Sequence, residues 1–91
     1  MNNLRAQFPF FSAHPDQVYL DSAATAQKPL AVLNAMQNYY RQGAANVHRA
    51  AYQRANQVTA EFEAARGLVA QFIHAPDPRS IVWTRGSTEA I

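Results

Sequence analysis

Ser80-Ile81-Val82-Trp83-Thr84-Arg85-Gly86-Ser87-Thr88-Glu89-Ala90-Ile91 is the stretch around which this sequence is read. Ile81, Val82 and Trp83 form a short apolar run of strand formers, and Gly86, Ser87, Thr88 and Glu89 follow at once. The pattern predicts a strand over residues 80–84, a tight turn, and the start of a helix over residues 86–91. A glycine in such a turn lets a ligand approach the backbone, two hydroxyls add donors, and the free N–H groups of a first helical turn point at an anion. A phosphate is the guest that this arrangement would take. Gly86 as N-cap with Glu89 three positions on is also a plain helix start that binds nothing, and the residues alone leave both readings open. A phosphate loop ending in Gly-Lys and a spaced triple-glycine fingerprint are both missing, so a nucleoside triphosphate or a dinucleotide is not the expected guest.

Upstream of this stretch, Ala75-Pro76-Asp77-Pro78 breaks any helix. Before the break lies the longest periodic segment in the chain. Tyr52, Ala55, Val58, Phe62, Ala65, Val69 and Phe72 step by three and four, which predicts a long helix over residues 50–74, about 35 Å at about 1.5 Å per residue. Arg54, Glu61, Glu63 and Arg66 fall on its other faces and read as solvated surface. His48-Arg49 sits in the connector before it. An arginine beside a histidine can bind a carboxylate or bridge subunits, or it can cap the following helix, and both readings stand.

Leu30, Leu33, Met36 or Gln37, and Tyr40 recur at helical spacing, predicting an amphipathic helix over residues 29–42. Pro29 falls in its first turn, where the missing N–H is harmless, and Gly43 closes it. Residues 18–28 are read as a short strand, Val18-Tyr19-Leu20, and a loop of small residues from Asp21 to Ala26. Small residues let other groups come close and often border a site, although Asp21 and Ser22 can equally do no more than cap a turn. Residues 1–17 form an arm: a short helix from Asn3 to Phe8 closed by Pro9, with Phe10 and Phe11 as anchors and a His14-Pro15-Asp16 turn that leaves His14 exposed.

Composition narrows the function classes. A chain of 91 residues suits one small domain whose core buries about 60% of the unfolded surface. With 48% hydrophobic residues and few charges it is globular rather than disordered. The net charge of +2 comes from seven arginines and one lysine spread without a stripe, so no nucleic-acid partner is expected. The absence of cysteine excludes disulfides, cysteine metal sites and a thiol nucleophile within this stretch. Histidines 14, 48 and 74 share no spacing that would gather them on one ion, so no metal is expected. No Ser-His-Asp arrangement can be ordered from separate elements. Lys28, the one lysine, could alone form a Schiff base, but its polar surroundings read as solvent. The polar opening from Met1 to Arg5 is not a signal peptide and no run approaches the roughly 20 apolar residues of a membrane span, which makes the cytoplasm the expected location.

Val18-Tyr19-Leu20-Asp21-Ser22-Ala23-Ala24-Thr25-Ala26-Gln27-Lys28-Pro29, then Asn46-Val47-His48-Arg49, then Ile81 to Ile91, in this order and spacing, resemble the N-terminal quarter of group II cysteine desulfurases of the CsdA and SufS kind. Related fold-type I enzymes of the class V aminotransferase group share the architecture. The resemblance implies a pyridoxal 5'-phosphate enzyme that takes sulfur from L-cysteine, leaves alanine, and holds the sulfur as a persulfide. It implies that Gly86, Ser87 and Thr88 receive the cofactor phosphate, with Thr88 foremost. Ala23 and Ala24 would lie near the active-site mouth, His48 and Arg49 at a dimer interface reaching toward the partner's site, and Arg85 and Glu89 near that interface. Ser87 stands where the family commonly has threonine, so the hydroxyl is kept.

The same resemblance places the family's Schiff-base lysine, ring-stacking histidine, pyridine-pairing aspartate, persulfide cysteine and carboxylate-binding arginine beyond Ile91, and matches Lys28 to a non-catalytic position. The expectation is therefore a single N-terminal segment, mostly α with two short strands, from an α/β fold-type I transferase. It would be inactive alone, and belong to a homodimeric enzyme of sulfur mobilisation and iron–sulfur cluster assembly with a sulfur-acceptor protein as a further partner. The rival expectation is a stand-alone helical interaction module, without catalysis, that pairs through the helix from Tyr52 to Phe72.

Overall fold

The structure is a computed structural model that describes residues 3–45, 47 and 52–91. The chain forms two compact units, Met1–Ala44 and Ala45–Ile91.

In the first unit, one turn of 3-10 helix, Leu4–Gln7, precedes the short helix α1, Pro9–Ala13. Pro9, expected to close a helix, instead opens one. At the first helical position its missing N–H is harmless and its fixed φ suits the helix, while the extended Phe8 just before it ends the preceding turn. Phe10 and Phe11 therefore lie on α1. Their rings meet edge to face at 5.2 Å, and Tyr19 meets Phe10 in the same way at 5.4 Å. Arg5 ties the arm together: its Nη2 donates to the carbonyls of Pro15 at 3.1 Å and Gln17 at 2.8 Å, and its guanidinium lies 4.0 Å over the Phe11 ring. His14 is exposed, with its ring 5.0 Å from Phe10.

The helix α2, Leu30–Arg41, follows Pro29, which stands just outside it as the N-cap. Gly43 leaves the helix at φ 92°, a left-handed conformation that favours glycine, and its N–H reaches the Tyr40 carbonyl at 3.4 Å. Leu30, Leu33, Met36 and Tyr40 share the spacing of one face, yet all are exposed, and none of the described residues of this unit is buried.

The second unit is built on α3, Gln53–Phe72. It ends short of residue 74 for a reason its proline-rich sequel does not reveal. His74 turns left-handed at φ 58°, the Ala75 N–H bonds the Ala70 carbonyl at 2.8 Å, and the His74 N–H bonds the Gln71 carbonyl at 3.2 Å. This pair of bonds is a Schellman ending. A 3-10 turn, Pro78–Ser80, then brings the chain back along α3, and the four-residue helix α4, Ser87–Ala90, closes the unit. The buried apolar residues are Ala55, Val58 and Ala70 on α3 and Ile81 on the returning segment. Of the predicted stripe, Tyr52, Ala65 and Phe72 are exposed.

Two further expectations are corrected here. Among the described residues there is no strand: Val18-Tyr19-Leu20 and residues 80–84 are irregular, so the chain is helical rather than mostly α with two short strands. Strand-forming side chains do not supply the backbone ladder that makes a strand, and Val18, Leu20 and Val82 are left exposed. Arg66, expected on the solvated surface, has a side chain only 20% exposed. Its long stem can lie along apolar surface while the guanidinium finds polar partners.

Candidate functional site

The second unit carries Arg85, Gly86, Ser87, Thr88 and Glu89 around one open depression. The chain reaches it from Ile81, whose side chain is buried, through Trp83, whose ring stands edge-on to Phe62 of α3 at 6.3 Å. Gly86 is the N-cap of α4 and is fully extended, at φ 171° and ψ 180°. Any residue adopts that conformation, and a Cβ added to Gly86 would meet nothing within 4 Å. The backbone therefore does not demand glycine here. What glycine provides is free space in front of the turn, where a ligand could come close to the main chain.

Beyond Gly86, the Ala90 N–H bonds the Gly86 carbonyl and the Ile91 N–H bonds the Ser87 carbonyl, each at 3.1 Å. The amides of Ser87, Thr88 and Glu89 come before these bonds and have no carbonyl four residues back within the helix. The turn is braced by two side chains. The Thr84 hydroxyl donates to the Gly86 carbonyl at 3.2 Å, and the Arg85 N–H donates to Glu89 Oε2 at 2.8 Å. The second contact resembles a capping box displaced by one residue, since Glu89 reaches the amide before the N-cap instead of the N-cap's own. Glu89 thus acts on the backbone of the turn, and the Arg85 side chain is exposed. First-turn amides, the exposed Ser87 and Thr88 hydroxyls and the open space at Gly86 make a donor set that fits a phosphate group.

Ala23 and Ala24 lie in the first unit, in a loop folded around one carbonyl. The Ala24 and Thr25 N–H groups both donate to the Asp21 carbonyl at 3.1 Å. The Tyr19 hydroxyl donates to the Thr25 carbonyl and stands 3.3 Å from that of Asp21, so it fastens the two ends of the loop. Lys28 donates to the Ala26 carbonyl at 3.0 Å, a local backbone role. His48 and Arg49 lie outside the described residues. Among the described residues no group of three metal-ligating side chains forms, and no helix is long and apolar enough to cross a membrane.

Sequence reasoning missed Arg66 and Tyr19. Arg66 lies one turn after Phe62 on the packed side of α3, donates from Nη1 to the Ile81 carbonyl, and holds Glu63 at 3.2 Å. Its position four residues after an inward aromatic was the available signal. Asp77 also has a structural role, since it takes the Arg79 N–H at 2.7 Å and the Arg79 guanidinium at 2.6 and 2.9 Å. The side-chain bond and then the backbone bond from Arg79 hold its carboxyl below the usual carboxylate range, and Arg79 is raised in turn.

Residues 18–91 match the family Aminotransferase class-V. A probable cysteine desulfurase from Pseudomonas aeruginosa is 56% identical over 89 residues, covering 96% of this chain and 22% of that protein. Cysteine desulfurase CsdA from Escherichia coli is 55% identical over 87 residues, covering 96% and 21%. A probable cysteine desulfurase from Vibrio cholerae is 50% identical over 95 residues, covering 100% and 23%. The chain thus spans about a fifth of the length of these curated relatives.

Proposed function

The chain belongs to the Aminotransferase class-V family, and from that premise we propose that it is the N-terminal piece of a pyridoxal 5'-phosphate-dependent cysteine desulfurase. The observation that carries the proposal is the turn at Gly86, where open space, first-turn amides and two hydroxyls meet in a sequence about half identical to named desulfurases.

In this reading the amides after Gly86 and the hydroxyls of Ser87 and Thr88 hold the cofactor phosphate. Glu89 and Thr84 keep the turn in shape. The bound cofactor supplies electron withdrawal from the substrate's α-carbon, the part of the chemistry that amino-acid side chains do poorly. Ala23 and Ala24 border the active-site mouth, where their small side chains leave room for L-cysteine. His48 and Arg49 reach toward a second subunit of a homodimer, with Arg85 and Glu89 near the same interface. The chain has no cysteine to carry a persulfide, and its one lysine serves the Ala26 carbonyl. The 91-residue chain is accordingly inactive by itself, and sulfur release to an acceptor, for iron–sulfur clusters, belongs to the longer cytoplasmic enzyme.

The test is direct. The longer protein, purified, should show the visible absorbance of bound pyridoxal 5'-phosphate and turn L-cysteine into alanine, and the 91-residue chain should do neither. A colourless longer protein unresponsive to added cofactor would end the proposal. The exposed Leu68, Phe72 and Ile73 favour a second reading, in which the chain works as a helical interaction module docking through α3. A stable, soluble 91-residue monomer with no longer gene product would favour that module.

A further inference from the structure

Residues 81–85 lead into the Gly86 turn without belonging to a strand, so side chains must hold them against α3. Three anchors do this. The Ile81 side chain is buried, the Trp83 ring abuts Phe62, and the Arg66 guanidinium donates to the Ile81 carbonyl. Phe62 and Arg66 lie one helical turn apart and so grip alternate residues of the approach, Trp83 and Ile81. Arg66 is itself fixed on two further sides: its Nε bonds Glu63 Oε2 at 3.2 Å, and its guanidinium lies 5.4 Å from the centre of the Phe62 ring.

A planar guanidinium spreads its donors in a fixed fork and can hold a carbonyl and a carboxylate together. An ammonium on a flexible stem is a point charge and holds such a pair less well. The anchoring continues in the turn through the Thr84 hydroxyl on the Gly86 carbonyl and Glu89 on the Arg85 amide. A single run of contacts therefore connects the middle of α3 to the donors at Gly86, Ser87 and Thr88.

We infer that Arg66 is a positioning residue for the phosphate turn: through the Ile81 carbonyl it fixes where that turn stands on α3, without itself touching the cofactor. The inference rests on the phosphate reading proposed above. A residue that only stabilised the fold would weaken binding of every form of the cofactor alike. One that positions the phosphate donors weakens only the phosphorylated form.

The experiment compares the longer enzyme with its Arg66→Met and Arg66→Lys variants, each titrated with pyridoxal 5'-phosphate and with pyridoxal, which lacks the phosphate. Arg66→Met should bind pyridoxal 5'-phosphate about tenfold more weakly, the scale of one lost charge-assisted hydrogen bond, and bind pyridoxal as the parent does. Arg66→Lys should lose less, again for the phosphorylated form alone, and it carries the test if the methionine variant does not fold. Unchanged affinity in the folded variants, or equal losses for both forms, would overturn the positioning role and leave the phosphate reading standing. A parent enzyme that bound pyridoxal 5'-phosphate no better than pyridoxal would overturn the phosphate reading, and this inference with it.

Discussion

Replacing His74 with glycine should make the end of α3 more stable. His74 is held at φ 58° by the two closing bonds, Ala75 N–H to the Ala70 carbonyl and His74 N–H to the Gln71 carbonyl. Holding a residue with a side chain in the left-handed region costs about 1–2 kcal/mol, and histidine tolerates it better than most, which places it near the lower end. Glycine removes that cost, but the unfolded chain gains freedom that offsets about 0.5–1 kcal/mol. With the cost at about 1 kcal/mol, the net gain is at most about 0.5 kcal/mol. The assay is amide hydrogen exchange at residues 74 and 75 in His74→Gly, with His74→Ala as the control that keeps a β-carbon. Exchange should slow up to about twofold in the glycine variant and should not slow in the alanine variant. Equal protection in all three proteins, or faster exchange with glycine, would refute the claim that the helix ends through backbone strain at this residue.

Further outcomes follow from other contacts. The folded-state pKa of Asp77 lies below its ordinary value of 3.8, so its contribution to the 3-10 turn is complete above the ordinary carboxylate range and fades as pH falls through the lowered value. Arg79 is raised above an already high value and stays charged throughout, so Asp77→Asn should abolish this acid-side step in an NMR pH titration of the Arg79 amide. Tyr19→Phe removes the clasp of the Asp21–Thr25 loop and should destabilise the loop by about 1 kcal/mol, read as faster exchange of the Ala24 and Thr25 amides. Gly86→Ala meets no neighbour within 4 Å, so it should leave the circular dichroism of the chain unchanged; in the longer enzyme its methyl group should obstruct the phosphate and weaken pyridoxal 5'-phosphate binding.

How much of this was legible in the sequence depended on whether the cause was local. The steps of three, four and seven residues through Ala55, Val58, Phe62 and Val69 trace the inner side of α3 because periodicity and helix geometry are one property. Gly43 signalled a positive φ, whereas His74 has one without glycine, so nothing in the composition marked it. Pro9 could close a helix or open one, and the choice lay with the extended Phe8 and the aromatic contacts of α1. Arg66 escapes a sequence reading because its decisive partner is a backbone carbonyl fifteen residues away. The turn at Gly86 was readable as chemistry, but its bracing by Thr84 and Glu89 depends on the angle at which the chain enters.

The missing strands and the exposed helix faces have one physical origin. Val18, Leu20, Val82, Leu30, Tyr40 and Phe72 are residues that patterning assigns to interiors, and within these two units they stay exposed. A strand forms only when another backbone supplies its ladder, and an apolar helix face is buried only when another surface meets it. The chain spans about a fifth of its relatives' length, so under the proposed function both needs fall to the remaining polypeptide. The Gly86 turn differs in kind. Its anchors at Phe62, Glu63, Arg66, Trp83, Thr84 and Glu89 all lie within the second unit, so its shape is set by contacts that this segment makes with itself. Under the proposed function, a phosphate cradle built from near neighbours can be formed before the rest of the fold is assembled around it. That separates the origin of the site's geometry from the origin of the fold's stability, since the first is local to α3 and the returning chain, and the second requires the surfaces these residues leave open.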